Sequence, residues 1–147
     1  MEIRQLTESD LDDLLALYSH MHISDVPLPA RSVVEAVWRE IQDSPNFWYY
    51  GVFVDGSLVS SCTLSVVPNL SRGCRPYGLI ENVVTHSGYR QKGYGTAVLR
   101  HALRDAWSQN CYKTMLLTGR KNEATYKFYE SVGFDRHAKQ AFLARPK

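Results

Sequence analysis

An apolar, strand-like stretch, Gly78-Leu79-Ile80-Glu81-Asn82-Val83-Val84-Thr85, runs into Tyr89-Arg90-Gln91-Lys92-Gly93-Tyr94-Gly95-Thr96 and then into a helical pattern from Thr96 to about Gln109. A strand that feeds a helix through a glycine-containing turn calls for a sheet covered by helices. Each part of the turn has a physical use. Gly93 and Gly95 lack Cβ, so a ligand can approach the main chain. Consecutive N–H groups can point into one concavity and bind phosphate oxygens. The helix start adds unpaired N–H groups and the positive end of a dipole. Thr96 can cap the helix or donate its hydroxyl, and Arg90 and Lys92 add positive charge. The pattern Arg90-x-x-Gly93-x-Gly95 therefore reads as a phosphate cradle, with a ligand-free strand-to-helix turn as the alternative. The chain has neither the P-loop nor the full Gly-x-Gly-x-x-Gly spacing, and no βαβ unit opens it, which disfavours both of those nucleotide sites.

The remaining pattern supplies the rest of one domain of 147 residues. Glu2 to Leu6 reads as a strand. Thr7 or Ser9 is placed to cap a helix bearing Leu11, Leu14, Leu15 and Tyr18 on one face. Pro27-Leu28-Pro29 interrupts, and a second helix follows from Arg31 to Ile41. Phe47–Val54 and Ser57–Val67 read as strands joined by an Asp55-Gly56 hairpin turn. Pro68–Pro76 is a polar loop, Tyr77–Thr85 a strand, Tyr112–Leu117 another. Ala97, Val98, Ala102 and Ala106 give the long helix a small, close-packing side. Glu123–Ser131 reads as a helix ended by Gly133 at C′, and Ala138–Ala144 as a last strand. The order β-α-α-β-β-β-α-β-α-β implies an α/β sheet with helices on both faces.

Composition narrows the partners. A net charge of +2 with 22% charged residues gives no field for nucleic acid or a membrane surface. No apolar run reaches the length of a membrane span, and the N-terminus lacks the layout of a signal peptide. Cys62, Cys74 and Cys111 form no CxxC pair and read as reduced thiols, which fits a cytoplasmic protein. His20-Met21-His22 with Asp25 does not converge as a ligand set, so no metal site is expected. His86 and His137 read as surface or packing residues.

From Tyr77 to Phe134 the chain resembles the GNAT superfamily of N-acetyltransferases. Four features match in order: the Gly78–Thr85 strand, the Arg90-x-x-Gly93-x-Gly95 loop, Asn122-Glu123, and Phe128-Tyr129-Glu130-x-x-Gly133-Phe134, with Tyr129 seven residues after Asn122. The resemblance implies a mixed, mostly antiparallel sheet whose fourth and fifth strands run parallel and splay apart. It implies acetyl-CoA as co-substrate, with its pantetheine arm in that wedge on main-chain groups of Val83, Val84 and Thr85. Its pyrophosphate would lie on Arg90, Gln91, Lys92, Gly93, Tyr94, Gly95 and Thr96. Asn122 would contact the pantetheine or phosphate region, and Tyr129 would stand near the sulfur. Thr85, Ser87 and Thr125 depart from the valine, proline and alanine often found there. Main-chain contacts survive the first two changes, and Thr125 alters packing against the cofactor's arm.

Acetyl transfer needs a neutral amine, a polarised thioester carbonyl and a proton for the leaving thiolate. Glu81 interrupts an apolar strand, where desolvation would raise its pKa towards useful base strength. It is the candidate base, directly or through water; the alternatives are pairing with Arg75 or orienting the substrate ammonium. Alternation places Glu81, Val83 and Thr85 on one face. Tyr129, with a phenol that keeps its proton at neutral pH, is the candidate acid, or else a core-packing ring. The N–H of Val83 or Val84 is a candidate for polarising the thioester carbonyl. Arg72 and Arg75 suit an anionic group on the acceptor, or belong to a solvated loop. Glu81-Asn82-Val83 and Asn110-Cys111-Tyr112-Lys113 look similar to glucosamine-6-phosphate N-acetyltransferases, which carry aspartate where Asn82 stands; Asn82 joins the substrate-binding candidates. A small-metabolite amine is favoured because no peptide-docking insertion is evident. A protein amine, or a non-catalytic acyl-CoA-binding domain, is the alternative. Exposed aromatics near the C-terminus, such as Phe142, suggest the edge of a homodimer.

Overall fold

Aromatic and β-branched residues fill Phe47–Val54, and alternating apolar residues fill Ser57–Val67, which suits both to a pleated, half-buried surface. They form β2 (Phe47–Val54) and β3 (Ser57–Val67), antiparallel, with Val54 opposite Ser57. The turn between them has both central residues left-handed, Asp55 at φ 49° and Gly56 at φ 78°, which matches the right-handed twist of a two-residue hairpin. In the computed structural model, which describes residues 1–22 and 24–147, β1 (Glu2–Gln5) pairs with the free side of β2 and β4 (Tyr77–Thr85) with the free side of β3, both antiparallel. β5 (Thr114–Leu116) lies parallel to β4 through three residue pairs, Gly78↔Thr114 to Ile80↔Leu116. The sheet order is β1-β2-β3-β4-β5.

The two faces carry separate cores. On one, α4 (Tyr94–Ser108) buries Val98, Leu99, Ala102 and Ala106 against Cys62, Leu64 and Ile80. α5 (Glu123–Glu130) packs Phe128 and Tyr129 onto the same cluster. On the other, α1 (Leu11–Tyr18) and α2 (Arg31–Asp43) bury Leu11, Leu14, Leu17 and Trp38 against Phe53, Leu58 and Val84. α3 (Ser71–Cys74) is a single turn in which Arg72, Gly73 and Cys74 are left-handed.

Three expectations from the sequence change. Thr7 does not cap a helix by accepting; its hydroxyl and its N–H both donate to the Asp10 carboxylate, at 2.9 and 2.7 Å. The long helix starts at Tyr94, two residues before Thr96. The strand expected at Ala138–Ala144 is absent: from Lys139 onwards the chain has no regular structure and is exposed. A strand needs a partner, and the expected segment sets Phe142 and Leu143 side by side, so no single face of it can be buried. Gly133, by contrast, stands at C′ as expected, at φ 103°. Gly133 N–H bonds to Glu130 C=O (3.0 Å) and Phe134 N–H to Tyr129 C=O (3.3 Å), the double bond pattern of a Schellman end.

Asp10, buried at the start of α1, also accepts both Nη atoms of Arg4, at 2.7 and 2.9 Å, which ties β1 to the first helix. Its hydrogen bonds from Arg4, against the cost of burial, hold its pKa at about 2 rather than 3.8. A depressed carboxylate stabilises the fold fully above its unfolded pKa and loses that contribution as pH falls through the folded one. Asp10→Asn should therefore cost about 1–3 kcal/mol at pH 7. The gap to wild type should narrow as pH falls from 4 towards 2. Urea unfolding of both proteins across that range checks it.

Candidate active site

β4 is paired on one side along its whole length and on the other only as far as Ile80. Beyond Ile80 no strand lies on its outer edge among the described residues, so β4 and β5 part and leave a wedge. At the mouth of the wedge β4 also carries a β-bulge. Ser61 is opposite Val84 and Thr63 opposite Glu81, so Asn82 and Val83 together face Cys62. Asn82 is left-handed at φ 52°, a conformation asparagine tolerates better than most residues. β3 secures the bulge through hydroxyls: Thr63 Oγ1 donates to Glu81 C=O (3.1 Å) and Ser60 Oγ to Val84 C=O (2.9 Å).

The bulge corrects the expected facing of the strand. Directly opposed residues share a face, and Ser61 and Thr63 share theirs, so Glu81 lies with Val84 rather than with Val83 and Thr85. Val84 packs in the α1–α2 core, so Glu81 is on the α1–α2 side of the sheet. Glu81 and Asn82 are exposed, Val83 and Thr85 half-buried. The desolvation expected for Glu81 is thus not present, because the strand bends outward where it leaves β5. No ion pair joins Glu81 to Arg75 among the described residues. Arg75 instead donates to the carbonyls of Asn110 (3.2 Å) and Cys111 (3.1 Å), fixing the entry to β5. Arg72 lies over the Tyr112 ring at 5.9 Å. Both arginines flank the start of β4, with Glu81 six residues beyond Arg75, ~20 Å along an extended strand.

The turn after β4 has the form expected of an anion cradle. Gln91 (φ 61°) and Gly93 (φ 84°) are left-handed, and changes of backbone handedness gather successive N–H groups. None of the N–H groups of residues 91–96 makes a hydrogen bond among the described residues, and Gln91, Lys92 and Gly93 are exposed. They open onto the first turn of a 15-residue helix, whose N-terminal dipole favours negative charge. The two glycines differ in role. Gly93 supplies a left-handed turn. Gly95 supplies a close approach: a Cβ there would lie 3.1 Å from Phe128 Cζ and 3.2 Å from Thr85 Oγ1. Lys92 Nζ donates to Gly88 C=O (3.3 Å) and lies over the Tyr89 ring. Arg90 Nε donates to Thr85 C=O (3.2 Å).

Asn122 is the N-cap of α5, its side-chain oxygen accepting from Thr125 N–H at 2.9 Å. Tyr129 is oriented by the Schellman end and by its ring contacts with Phe128 (4.9 Å) and Phe134 (6.2 Å, edge-on). Burial raises its phenol above the ordinary pKa, Arg120 opposes that, and the Glu81 charge adds to it. The charges of Arg120 and Glu81 thus both reach the Tyr129 phenol. Sequence patterns did not single out Arg120, since a lone arginine in a turn carries no spacing signal. His20, set aside as a metal ligand, stacks on His86 at 4.0 Å and accepts from Ser87 N–H through Nδ1 (3.4 Å).

A mostly antiparallel sheet whose last two strands run parallel and then part, followed by an open strand-to-helix turn, is the frame of an acyltransferase fold. The description "Acetyltransferase (GNAT) family" matches residues 11–134, and the chain belongs to this family of N-acetyltransferases. It is 33% identical over 146 residues to the glucosamine 6-phosphate N-acetyltransferase of Trypanosoma brucei brucei, covering 97% of this chain and 95% of the relative. A putative acetyltransferase from Agrobacterium tumefaciens str. C58 superposes with a TM-score of 0.93 at 41% identity, covering 99% of this chain and 100% of that one. The Arabidopsis thaliana glucosamine-6-phosphate N-acetyltransferase shares the fold, with a TM-score of 0.84 at 21% identity over 97% of each chain.

The Gly95 contact makes a thermodynamic cycle possible. Gly95→Val should cost about 1–3 kcal/mol through overpacking. Phe128→Ala should cost less in the Gly95→Val background than in wild type, because the cavity and the clash offset each other. Denaturant unfolding of the four proteins measures the coupling.

Proposed function

We propose that this protein moves the acetyl group of acetyl-CoA to the primary amine of a small metabolite, by direct attack in a ternary complex. The observation that carries the reading is that two stretches of main chain adjoin where β4 parts from β5. One is the N–H set of residues 91–96, suited to a pyrophosphate. The other is the outer edge of β4 from Glu81 to Thr85, suited to an extended amide-bearing arm. Together they run towards Glu81 and Tyr129.

In this reading Val83, Val84 and Thr85 hold the pantetheine arm through main-chain groups, and Arg90 to Thr96 hold the pyrophosphate. The amino group of the Asn122 amide makes no hydrogen bond among the described residues, which leaves it for the cofactor. The N–H of Val83 or Val84 polarises the thioester carbonyl. Glu81 takes a proton from the amine, directly or through a water, as an exposed carboxylate at the acceptor side of the bulge. The amine nitrogen bonds to the carbonyl carbon, the C–S bond breaks, and Tyr129 gives its proton to the departing thiolate. Burial keeps that phenol protonated at neutral pH, as a general acid requires. Asn82, beside Glu81 on the bulge, is placed to touch the acceptor. Arg72 and Arg75 are not assigned to it, since Arg75 is committed to β5 and Arg72 to Tyr112. Amino-sugar phosphates are the first acceptor class to test, in view of the trypanosomal relative.

We also propose a homodimer, in which the C-terminal segment of one copy adds to the β5 edge of the other. β5 ends the sheet with an unpaired edge, and Phe142 and Leu143 are 89% and 71% exposed. Unpaired edges and exposed apolar side chains favour strand addition.

Three experiments test these readings. Calorimetry should give micromolar coenzyme A binding that Gly93→Glu abolishes; no binding by wild type would overturn the cofactor assignment. Thiol release with a panel of amines, glucosamine 6-phosphate included, should show turnover. Glu81→Gln and Tyr129→Phe should each lower kcat by roughly 10²–10⁴-fold with coenzyme A affinity retained. Cofactor binding without turnover of any amine would favour the non-catalytic alternative. Light scattering should report a dimer for the full chain and a monomer once residues 138–147 are removed.

A further inference from the structure

The C-terminal end of α1 is held by two arginines from opposite sides of the wedge. Ser19, His20 and Met21 continue the helix as a turn, their N–H groups bonding to the carbonyls of Ala16, Leu17 and Tyr18. The carbonyls of His20 and Met21 stand at the end of this turn, where helix carbonyls ordinarily lack intrahelical donors. His20 C=O accepts from Arg90 Nη2 at 2.9 Å, and Met21 C=O from Arg120 Nη2 at 3.0 Å. Cations are favoured at this end of the dipole. Arg90 belongs to the turn after β4 and Arg120 to the turn before α5, separated from their acceptors by 70 and 99 residues. Neither guanidinium has a carboxylate partner among the described residues. Arg90 also holds Thr85 C=O, and His20 is pinned a second time by Ser87 and His86. The end of α1 lies on the Glu81 side of the sheet.

We propose that Arg120 is a positioning residue for the transfer: with Arg90 it straps the His20–Met21 segment across the mouth of the wedge and so fixes one wall of the acceptor site. The inference rests on the function proposed above. The strap joins the acceptor wall to both cofactor-side turns, so the acceptor meets a surface already registered against the thioester. Arg90 sits in the phosphate cradle, and its removal disturbs cofactor and acceptor together. The Arg120 guanidinium, which bonds to the acceptor wall at Met21 and not to the cofactor turn among the described residues, separates the two.

The test compares wild type with Arg120→Gln and Arg120→Lys as full chains, with thermal melting to verify folding. Hydrogen exchange of the Ser19, His20 and Met21 amides should speed up about tenfold in Arg120→Gln. Calorimetric coenzyme A affinity should stay within about twofold. With glucosamine 6-phosphate as the probe amine, KM should rise about fivefold or more, with a smaller fall in kcat. Arg120→Lys, whose ammonium can still reach a carbonyl, should recover most of the protection. Unchanged exchange in Arg120→Gln overturns the strap, and so does an equal loss of coenzyme A affinity. If wild type turns over no amine, the exchange comparison still decides the strap, and the failure belongs to the proposed function alone.

Discussion

β4 is held by β3 over its full length and by β5 over three residues, and this one-sided pairing is what the site is built on. An unpaired strand edge is ordinarily a liability, with a row of unsatisfied donors and acceptors. Here β4 is anchored deeply enough to tolerate it. Ile80 is fully buried in the α4 core, and Val84 is buried in the α1–α2 core. The stretch between, Glu81 to Val83, can bulge outward because both ends are fixed. The bulge in turn decides which face Glu81 takes.

The two walls of the wedge are kept in register by contacts too close to admit larger side chains. Gly95 brings the first turn of α4 against Phe128 of α5 and Thr85 of β4. The Schellman end of α5 then sets the Tyr129 ring between Phe128 and Phe134. Arg136 bridges Glu123 and Glu130 across the outer side of the same helix. A short helix of eight residues has little stability of its own, so these tertiary contacts are what hold Tyr129 at the wedge.

The sequence disclosed whatever follows from chain-local physics. The Asp55-Gly56 turn, the Gly133 helix end and the glycines of the turn after β4 were legible because left-handed backbone and close approach restrict residue choice. The central strands were legible because their apolar runs were long. Three features were hidden because they depend on partners distant in the chain. The bulge at Asn82 is a mismatch between two strands, and alternation within β4 alone gave the wrong face for Glu81. The C-terminal segment has strand-like residues but pairs with no strand among the described residues. Arg75 looked available for an anionic ligand, yet its guanidinium serves two carbonyls 35 and 36 residues away.

The same division separates donor from acceptor. A pyrophosphate and an extended arm are read by main-chain groups, which any sequence supplies once the backbone has the right shape. That is why a fold and a glycine pattern suffice to identify the transferase family across large sequence distances. An acceptor amine is read by side chains and by where a loop is placed. In the strap proposed above, that placement rests on Arg90 and Arg120, which reach the end of α1 from turns far along the chain. Arg90 also belongs to the proposed cofactor turn, whereas Arg120 lies outside it, so on this reading Arg120 is the one that can vary without loss of the cofactor site. Acceptor choice can therefore shift through such straps while the chemistry of the donor stays fixed.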